Sequence, residues 1–329
     1  MRKRNGTDGN PFGSVRYNAI GPYLKNMFGC RIVKLSLDGG FTCPNRDGRC
    51  GTGGCLFCAE DGSGRFASDI PHEIELTRRK WPEAKYMAYF QNFTNTYAPV
   101  EKLRSLWDEA LGNSEDKGPL RARSHCTADH GETERQDPSI IGLAVATRPD
   151  CLPEDVLDLL SEYNEKSFLW VELGLQTSRQ KTADYINRCY DNSVYENAVT
   201  ELNRRGIRCV THLILGLPGE TKADMLSSAE YVNSFAPFGL KLHMLHVMEN
   251  TKLGEIYKKQ PFELFSLNDY VETVCDILER TPQDVTVHRL TGDAPQDSLI
   301  APEWTRNKHT VLNAIQQEFK RRGTFQGCR

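Results

Sequence analysis

Six short apolar runs, separated by amphipathic stretches, constrain the fold of this chain more than any other feature. The runs cover residues 32–36, 86–90, 141–147, 168–175, 207–215 and 240–248. Each is shorter than a typical helix and rich in apolar or β-branched residues, as strands are. Strands that alternate with helices pair in parallel, and near-continuous apolar runs indicate burial on both faces. The sequence therefore predicts an α/β fold on a parallel sheet, either open or curved into a barrel.

The stretches between these runs carry helix start signals. Pro99 and Pro153 each precede a stretch with one apolar face. Ser193, Thr221 and Ser266 are each followed three residues later by an acidic residue, which predicts a capping box at each position. The polar segment 112–138 has no such periodicity, so we expect it to be a mobile surface insertion.

Net charge and length exclude few function classes, but together with the sequence pattern they indicate the cellular compartment that we expect. The chain has 329 residues and a formal net charge of -3, which gives no general support for nucleic-acid or membrane binding. Its N-terminus lacks the apolar run of a signal peptide, and no apolar stretch approaches the roughly 20 residues that span a bilayer. We therefore expect a cytoplasmic protein whose eleven cysteines do not form a disulfide framework.

Four cysteines lie close together in the glycine-rich stretch FTCPNRDGRCGTGGCLFCAEDG, residues 41–62. Zinc could be held by all four in a closed Cys₄ site, with Cys43, Cys50, Cys55 and Cys58 as ligands. Cys55 and Cys58 could instead form a thioredoxin-like redox pair, although the flanking residues do not favour it. A [4Fe–4S] cluster held by only three cysteines would leave one iron open. Spacing alone supports the zinc and iron–sulfur hypotheses about equally.

Several further motifs resemble one family when they are taken together and in order. They are VKLSLDGGFTCPNRDG, GGCLFC, YFQNFTNTYAP, TRPDCLP, ELGLQT, INR, GLPGET, HMLHVMENTKL and HRLTGDAPQD. The chain resembles the radical S-adenosylmethionine (SAM) superfamily, and within it the short YhcC-type family. That family is related to the catalytic subunit of Elongator but lacks its acetyltransferase domain. The resemblance extends along nearly the whole chain except residues 112–138.

This resemblance implies an architecture. We expect a partial (β/α)₆ barrel of the TIM type with a C-terminal helical extension, and chemistry at the C-terminal ends of the strands. Residues 1–30 would form an N-terminal segment, 31–283 the barrel, and 284–329 the extension with a substrate-side loop and a basic helix.

The resemblance also assigns the cluster ligands and the cofactors, a [4Fe–4S] cluster and SAM. The superfamily's usual spacing is C-x₃-C-x₂-C, whereas here the first gap is eleven residues, as in the YhcC-type family. The implied ligands are Cys43, Cys55 and Cys58. Cys50 matches no ligand position and is interpreted as a bystander, whereas the zinc hypothesis requires it.

Contacts to SAM are implied for residues near the strand ends. Phe57 precedes the last ligand and is expected near the adenine, and Gln91 near the SAM amine. Gln176 and Arg188, in GLQ and INR, match positions that contact the ribose and carboxylate in related enzymes. An arginine is well suited to binding a carboxylate through two hydrogen bonds.

Five more residues are considered for the site. Glu172 shares a strand face with Gln176 and is predicted to bind SAM or substrate. Gly216 begins a glycine turn that is expected near the adenine. His212 stands where relatives often have aspartate. His243 and His246 are predicted to face opposite sides of the sixth strand, so that one of them is structural, and His246 is a candidate for the site.

The substrate is implied only by the relationship to Elongator. That relationship suggests the wobble uridine of tRNA and the conversion of a 5-carboxymethylaminomethyl side chain to aminomethyl by hydrogen abstraction. Flavodoxin or ferredoxin would supply electrons. Phosphate contacts are predicted near the barrel mouth, from the basic termini and from residues 78–85. A small-molecule or protein substrate, and a zinc-stabilised binding protein that is not an enzyme, remain alternatives.

Overall fold

The computed structural model of the chain describes residues 9–59, 62, 68–113, 140–292, 295 and 297–329. Its strands are β1 (Ile32–Leu37), β2 (Lys85–Phe90), β3 (Ile140–Thr147), β4 (Phe168–Gln176), β5 (Arg208–Leu215), β6 (Gly239–Met244), β7 (Val247–Met248), β8 (Thr286–Arg289) and β9 (Leu299–Ala301). One curved parallel sheet has the order β1-β2-β3-β4-β5-β6-β8, and β7 pairs with β9 in antiparallel fashion. The predicted α/β partial barrel is confirmed.

All six predicted strands are present, and the sheet has a seventh strand that the sequence did not reveal. Strand β8 pairs in parallel with β6, with Leu240 opposite Val287. Its sequence, TVHR, is too short and too polar to stand out. The sixth predicted strand, 240–248, was drawn too long, because β6 ends at Met244. Strand β8 lies within the predicted extension 284–329, and the division of the chain into three segments stays a prediction.

Helices follow most of the strands and pack on the outer face of the sheet. Pro99 and Pro153 immediately precede the third and fourth of them. The capping boxes at Thr221 and Ser266 are present, whereas Ser193 lies inside a helix that begins one residue earlier. The helices are α1 (Ile20–Phe28), α2 (Ile70–Arg78), α3 (Val100–Leu111), α4 (Glu154–Lys166), α5 (Gln180–Tyr185), α6 (Asn192–Arg204), α7 (Lys222–Asn233), α8 (Lys252–Lys259), α9 (Leu267–Arg280) and α10 (Lys308–Arg322).

The sheet buries apolar side chains on both faces, as its near-continuous apolar strands require. The outer face packs against the helices through residues such as Leu143 and Val171. The inner face carries a smaller cluster that includes Met87 and Trp170, and Leu24 of α1 packs against it. Helix α1 thereby closes the barrel where the strands begin, which leaves the C-terminal ends of the strands open.

Two further predictions concern the polar insertion and membrane-spanning helices. Nearly all of the predicted insertion, from residue 114 onward, lies outside the described residues. In the part of the chain that the structure describes, no helix is long and apolar enough to cross a membrane.

Candidate active site

A cavity of about 480 Å³ opens among the C-terminal ends of the strands. Cys43, Cys55 and Cys58, from the loop after β1, line it together with residues from every strand of the sheet from β1 to β6 and from β8. Cys50 is exposed and lines a neighbouring cavity of about 610 Å³ instead. The loop therefore directs three of its four thiols into one cavity, in the combination that the resemblance implied.

Main-chain hydrogen bonds hold the cysteine loop in this shape. The Cys58 amide donates to the Cys55 carbonyl at 3.1 Å, which closes a tight turn between the two. Gly54 has a φ of 73°, a conformation that glycine adopts without strain, and its amide donates to Asn45 at 2.8 Å. Leu56 is tied to the chain after α5, since its amide donates to the Ile186 carbonyl at 3.0 Å. The glycine spacing thus allows the loop to wrap closely.

Two buried side chains donate hydrogen bonds to sulfurs of the three cysteines that line this cavity. Thr94 Oγ1 lies 3.1 Å from Cys43 Sγ, and Asn45 Nδ2 lies 3.3 Å from Cys55 Sγ. Burial and the neighbouring sulfurs raise the pKa of the Cys58 thiol to about 12. Burial is also the main cause of the raised pKa values of Cys43 and Cys55. A cationic centre among these sulfurs would favour their thiolate forms and reverse the effect.

Most predicted SAM contacts lie on the cavity wall. Phe57, Gln91 and Gln176 all line it. Gln176 has a φ of 66° at the irregular end of β4, which turns the chain at the mouth. Gly216 also begins a turn, with a φ of 88°. Ile214, near the end of β5, lines the cavity whereas Gly216 does not, so the glycine is set back from it.

Arg188 lines the same cavity but has an unexpected set of partners. Only 1 % of it is exposed. Its three guanidinium nitrogens donate to main-chain oxygens of Leu175, Thr177 and Tyr190 and to side-chain oxygens of Gln180 and Asn192. The protein thus already uses the donors that a SAM carboxylate would need. These bonds lock the end of β4 to the chain around α5, and contact between Arg188 and SAM stays a prediction.

Glu172 is at the centre of a buried polar cluster inside the barrel. Its Oε2 accepts from Lys241 Nζ at 2.7 Å, His212 Nε2 at 2.8 Å and the Tyr89 hydroxyl at 2.8 Å. Its Oε1 accepts from Trp170 Nε1 at 3.0 Å. Both carboxylate oxygens are therefore engaged by protein donors. Glu172 and His212 line the cavity, as predicted, but bond to each other.

Charges in this cluster shift one another's pKa values. Burial alone would raise the pKa of Glu172, but Lys241, His212 and Lys34 hold it well below its usual range. Burial lowers the pKa of Lys241 to about 7, although Glu172 acts in the opposite direction. Burial and Lys241 lower the pKa of His212 to about 4. His212 is therefore neutral at pH 7, while the carboxylate keeps its charge.

The two histidines after His212 both reach the cavity. His243 and His246 line it, which corrects the prediction that they face opposite sides. The alternation of a strand does not extend to His246, because β6 ends at Met244. The His243 ring stacks on that of His212, with centroids 5.4 Å apart.

Sequence reasoning missed Lys34, Tyr89, Lys241, Asn45 and Thr94. Two of these had a usable signal. Lysine is rarely buried unless it is paired, so Lys241 in the apolar run LKLHML indicated an inward charge. Tyr89 lies two residues before Gln91 and therefore shares its face. Asn45 and Thr94 depend on loop conformation and gave no periodic signal.

Of the basic residues expected near the mouth, those that the structure describes lie at the other end of the barrel, and the basic residues at positions 2–4 lie outside the described residues. Arg78 ends α2 and Arg79 follows it, shortly before β2 begins. In the C-terminal helix, Arg322 pairs with Asp276 at 2.6 Å, and Arg321 pairs with Glu318 at 2.7 Å. These two arginines are thus paired with carboxylates of the protein. A phosphate-binding surface near the mouth stays a prediction, and the described residues at these positions do not contribute to it.

Known proteins resemble this chain along most of its length. The Radical SAM superfamily model matches residues 46–232, and the Radical SAM C-terminal domain model matches residues 237–321. The uncharacterized protein YtqA of Bacillus subtilis is 42% identical over 320 residues, covering 95% of this chain and 92% of the relative. Protein YhcC of Escherichia coli is 34% identical over 314 residues, covering 93% of each.

More distant matches agree with the fold. Elongator complex protein 3 of Homo sapiens is 28% identical over 167 residues, which is 50% of this chain and 30% of that protein. The solved structure of Elp3 from the archaeon Methanocaldococcus infernus, with an N-terminus deletion, superposes with a TM-score of 0.65 at 16% identity. It covers 90% of this chain and 64% of that one, which establishes a shared fold. The chain belongs to the radical SAM superfamily and is an enzyme that uses a [4Fe–4S] cluster and SAM.

Proposed function

We propose that Cys43, Cys55 and Cys58 hold the cluster and that the enzyme modifies the wobble uridine of tRNA, converting a 5-carboxymethylaminomethyl side chain to aminomethyl. The ligand assignment is supported by the three thiols that share one cavity and by the hydrogen bonds from Thr94 and Asn45 to sulfur. Three cysteines suit a [4Fe–4S] cluster that keeps one iron open.

The residues of the chain have separate tasks in this proposal. Cluster and SAM together supply the radical that abstracts hydrogen from an unactivated carbon. Phe57, Gln91 and Gln176 would contact SAM along the wall. The barrel around them excludes water from the reacting carbon. The buried polar side chains around Glu172 lie at the bottom of the cavity. A one-electron donor such as flavodoxin or ferredoxin would reduce the cluster, in the cytoplasm.

The similarity to Elongator complex protein 3 is the observation that carries the tRNA proposal. It covers 167 residues, and the TM-score of 0.65 to the archaeal protein adds agreement in fold. A macromolecular substrate must reach the open end of the barrel. Three exposed cationic residues lie around that end: Arg49 in the cysteine loop, Lys102 in α3 and Lys252 at the start of α8.

The first experiment measures tRNA binding by the anaerobic holoenzyme at several salt concentrations. For each tenfold rise in salt concentration, we expect the logarithm of the association constant for tRNA to fall by about one for every phosphate contact. Replacing Arg49, Lys102 and Lys252 by alanine should weaken binding and flatten this dependence. The matched control replaces Arg78, Arg79 and Lys80, which lie at the other end of the barrel, and should bind as the wild type does. An equal loss of tRNA affinity in both triple variants would contradict the proposal that tRNA binds at the open end of the barrel.

The second experiment tests the reaction. Reduced holoenzyme, SAM and tRNA bearing 5-carboxymethylaminomethyluridine are incubated, and the digested nucleosides are identified by mass spectrometry. We expect aminomethyluridine to accumulate together with 5′-deoxyadenosine and glyoxylate. SAM would accept two electrons overall from the C–N bond of the carboxymethylamino group, and water would hydrolyse the resulting imine and release the carboxymethyl carbons as glyoxylate. Formation of 5′-deoxyadenosine without any change in the nucleosides would remove the tRNA assignment and leave a radical SAM enzyme for a smaller or protein substrate.

A further inference from the structure

His212 has a fixed tautomer at the wall of the main cavity. It lies on β5, and its Nε2 is 2.8 Å from Oε2 of the fully buried Glu172. Although burial acts in the opposite direction, Lys241 and His212 hold the pKa of the Glu172 carboxyl well below its usual range. An ionised carboxylate only accepts hydrogen bonds, so Nε2 of His212 carries the hydrogen that joins the two side chains.

The second ring nitrogen of His212 is consequently a hydrogen-bond acceptor. Burial and Lys241 lower the pKa of the imidazole to about 4, so at pH 7 the ring is neutral and its one N–H is at Nε2. Nδ1 then has a lone pair and no hydrogen. No described residue donates a hydrogen bond to Nδ1, and 19 % of the side chain is exposed where it lines the cavity. This nitrogen can therefore accept a hydrogen bond from a ligand.

Neighbouring side chains hold the His212 ring in this orientation. The ring of His243 stacks on it, with centroids 5.4 Å apart and an interplanar angle of 27°. Glu172 is itself held by Lys241 Nζ at 2.7 Å and by the Tyr89 hydroxyl at 2.8 Å. Rotation of the ring would break both the bond to Glu172 and the stack. An acceptor that is already ordered selects its ligand sharply, because binding costs little further side-chain entropy.

His212 lies within its strand, whereas the cluster thiols lie beyond the end of theirs. Strand β5 continues for three residues past His212, to Leu215, which is about 10 Å along the strand. The thiols belong to the loop that follows β1. SAM would bind the open iron at those thiols, so a group that meets His212 extends further into the barrel. This position fits the substrate better than SAM.

We propose that His212 is a specificity residue, whose Nδ1 accepts a hydrogen bond from an N–H group of the substrate. The inference rests on the proposed function in that the substrate occupies this cavity, and it names the chemistry that the substrate must present there. The base of a uridine has one N–H, at N3 between two carbonyls. Cytidine has a lone pair at the same atom, so two acceptors would face each other. A fixed acceptor therefore favours uracil over cytosine.

The test compares probes that differ at this N–H. Uridine, 3-methyluridine and cytidine are titrated into the anaerobic holoenzyme saturated with SAM, and saturation-transfer nuclear magnetic resonance gives the dissociation constants. We expect uridine to bind about tenfold more tightly than either analogue, because each analogue leaves the acceptor without a donor. Succinimide and N-methylsuccinimide form a second pair, which has the same imide N–H but neither a ribose nor a pyrimidine.

Three variants assign the preference to one atom. His212→Phe keeps a ring but has no acceptor, so the ratio of the two dissociation constants should fall to about one. His212→Gln can donate to Glu172 through its amide nitrogen and present its carbonyl oxygen, so it should recover part of the preference. His243→Phe is the matched control, because it removes the neighbouring imidazole but leaves Nδ1 of His212, and it should keep the wild-type ratio. Iron content and urea unfolding show that each variant is folded.

The results separate this inference from the proposed function. Equal binding of the N–H and N-methyl probes by the wild type, an unchanged ratio in His212→Phe, or no binding of any probe would overturn the inference. A loss of SAM affinity in His212→Phe with the ratio unchanged would also overturn it and assign His212 to SAM. A preference for succinimide that depends on His212, without binding of uridine, would support the inference and refute the uridine substrate."

Discussion

Arg188 and Lys241 line the same cavity, yet the protein stabilises their buried positive charges in different ways. Arg188 is surrounded by neutral oxygens, so that all its nitrogens donate to main-chain or side-chain amide oxygens of the protein. Lys241 instead pairs directly with the carboxylate of Glu172, which also accepts hydrogen bonds from Tyr89, His212 and Trp170. Removing Arg188 therefore leaves neutral acceptors without donors, whereas removing Glu172 leaves a buried charge without its counterion.

Sequence motifs assign a site role to Arg188 and none to Lys241, whereas in the structure both residues line the cavity. The INR motif resembles a SAM-contacting position, but its arginine acts on the backbone around it. The lysine in LKLHML belongs to no recognised site motif, but it faces the cavity beside Glu172. What separates the two is the supply of neighbouring acceptors, which only the folded chain reveals. The predictions below test this contrast.

The largest expected effect is on stability in Arg188→Met. Its removal leaves several buried acceptors without donors, at about 1–3 kcal/mol each, so we expect the free energy of unfolding to fall by about 5 kcal/mol or more. Urea unfolding of the anaerobic holoenzyme measures this. SAM affinity of the remaining folded fraction should be nearly unchanged. A stable variant with weakened SAM binding would show instead that Arg188 contacts the SAM carboxylate.

Glu172→Gln should have the next largest effect. The change leaves Lys241 without its counterion, and breaking one side of a buried ion pair typically costs about 3–5 kcal/mol. The matched control is the double variant Glu172→Gln with Lys241→Met, which should recover much of the stability because no unpaired charge is left. If the single and double variants lose the same free energy of unfolding, the ion pair is not the cause.

The sequence revealed the sheet more fully than the site, for physical reasons. Apolar runs mark strands because burial on both faces requires them, and the cysteine spacing marks three thiols that can share one centre. Hydrogen-bond partners are not periodic, so neither the saturation of Arg188 nor the donors Thr94 and Asn45 could be foreseen. The short strand β8 was missed because four residues carry too little pattern.

Acid pH should lower the stability of the protein through His212, which belongs to the buried polar group around Glu172. The pKa of His212 is lowered to about 4 in the folded protein, below its ordinary value near 6.5. Between these values His212 binds a proton in the unfolded state but not in the folded state. The free energy of unfolding therefore falls as pH decreases through this window. We expect a loss of about 2–3 kcal/mol, measured by urea unfolding of the holoenzyme. His212→Gln should show a flatter dependence, and an unchanged slope would contradict the assignment.

The smallest effect on stability is expected for Thr94→Val, about 1 kcal/mol for one lost hydrogen bond. Its informative readout is electrochemical. Hydrogen bonds to sulfur help to set cluster potentials, so loss of the Thr94 bond to Cys43 should lower the midpoint potential. A redox titration followed by electron paramagnetic resonance measures it. Thr94→Ser keeps the hydroxyl and should restore the wild-type value, and equal potentials in all three proteins would place no cluster at Cys43.

The central claim, that three of the four loop cysteines hold the cluster which cleaves SAM, is tested most directly by four alanine variants. Iron content and 5′-deoxyadenosine formation are measured after anaerobic reconstitution and reduction. Cys43→Ala, Cys55→Ala and Cys58→Ala should each lose both the cluster and the nucleoside product, because each thiol lines the cavity. Cys50→Ala should keep about four irons per chain and full SAM cleavage. Loss of iron in Cys50→Ala, or one zinc and no iron in the wild type, would contradict the account.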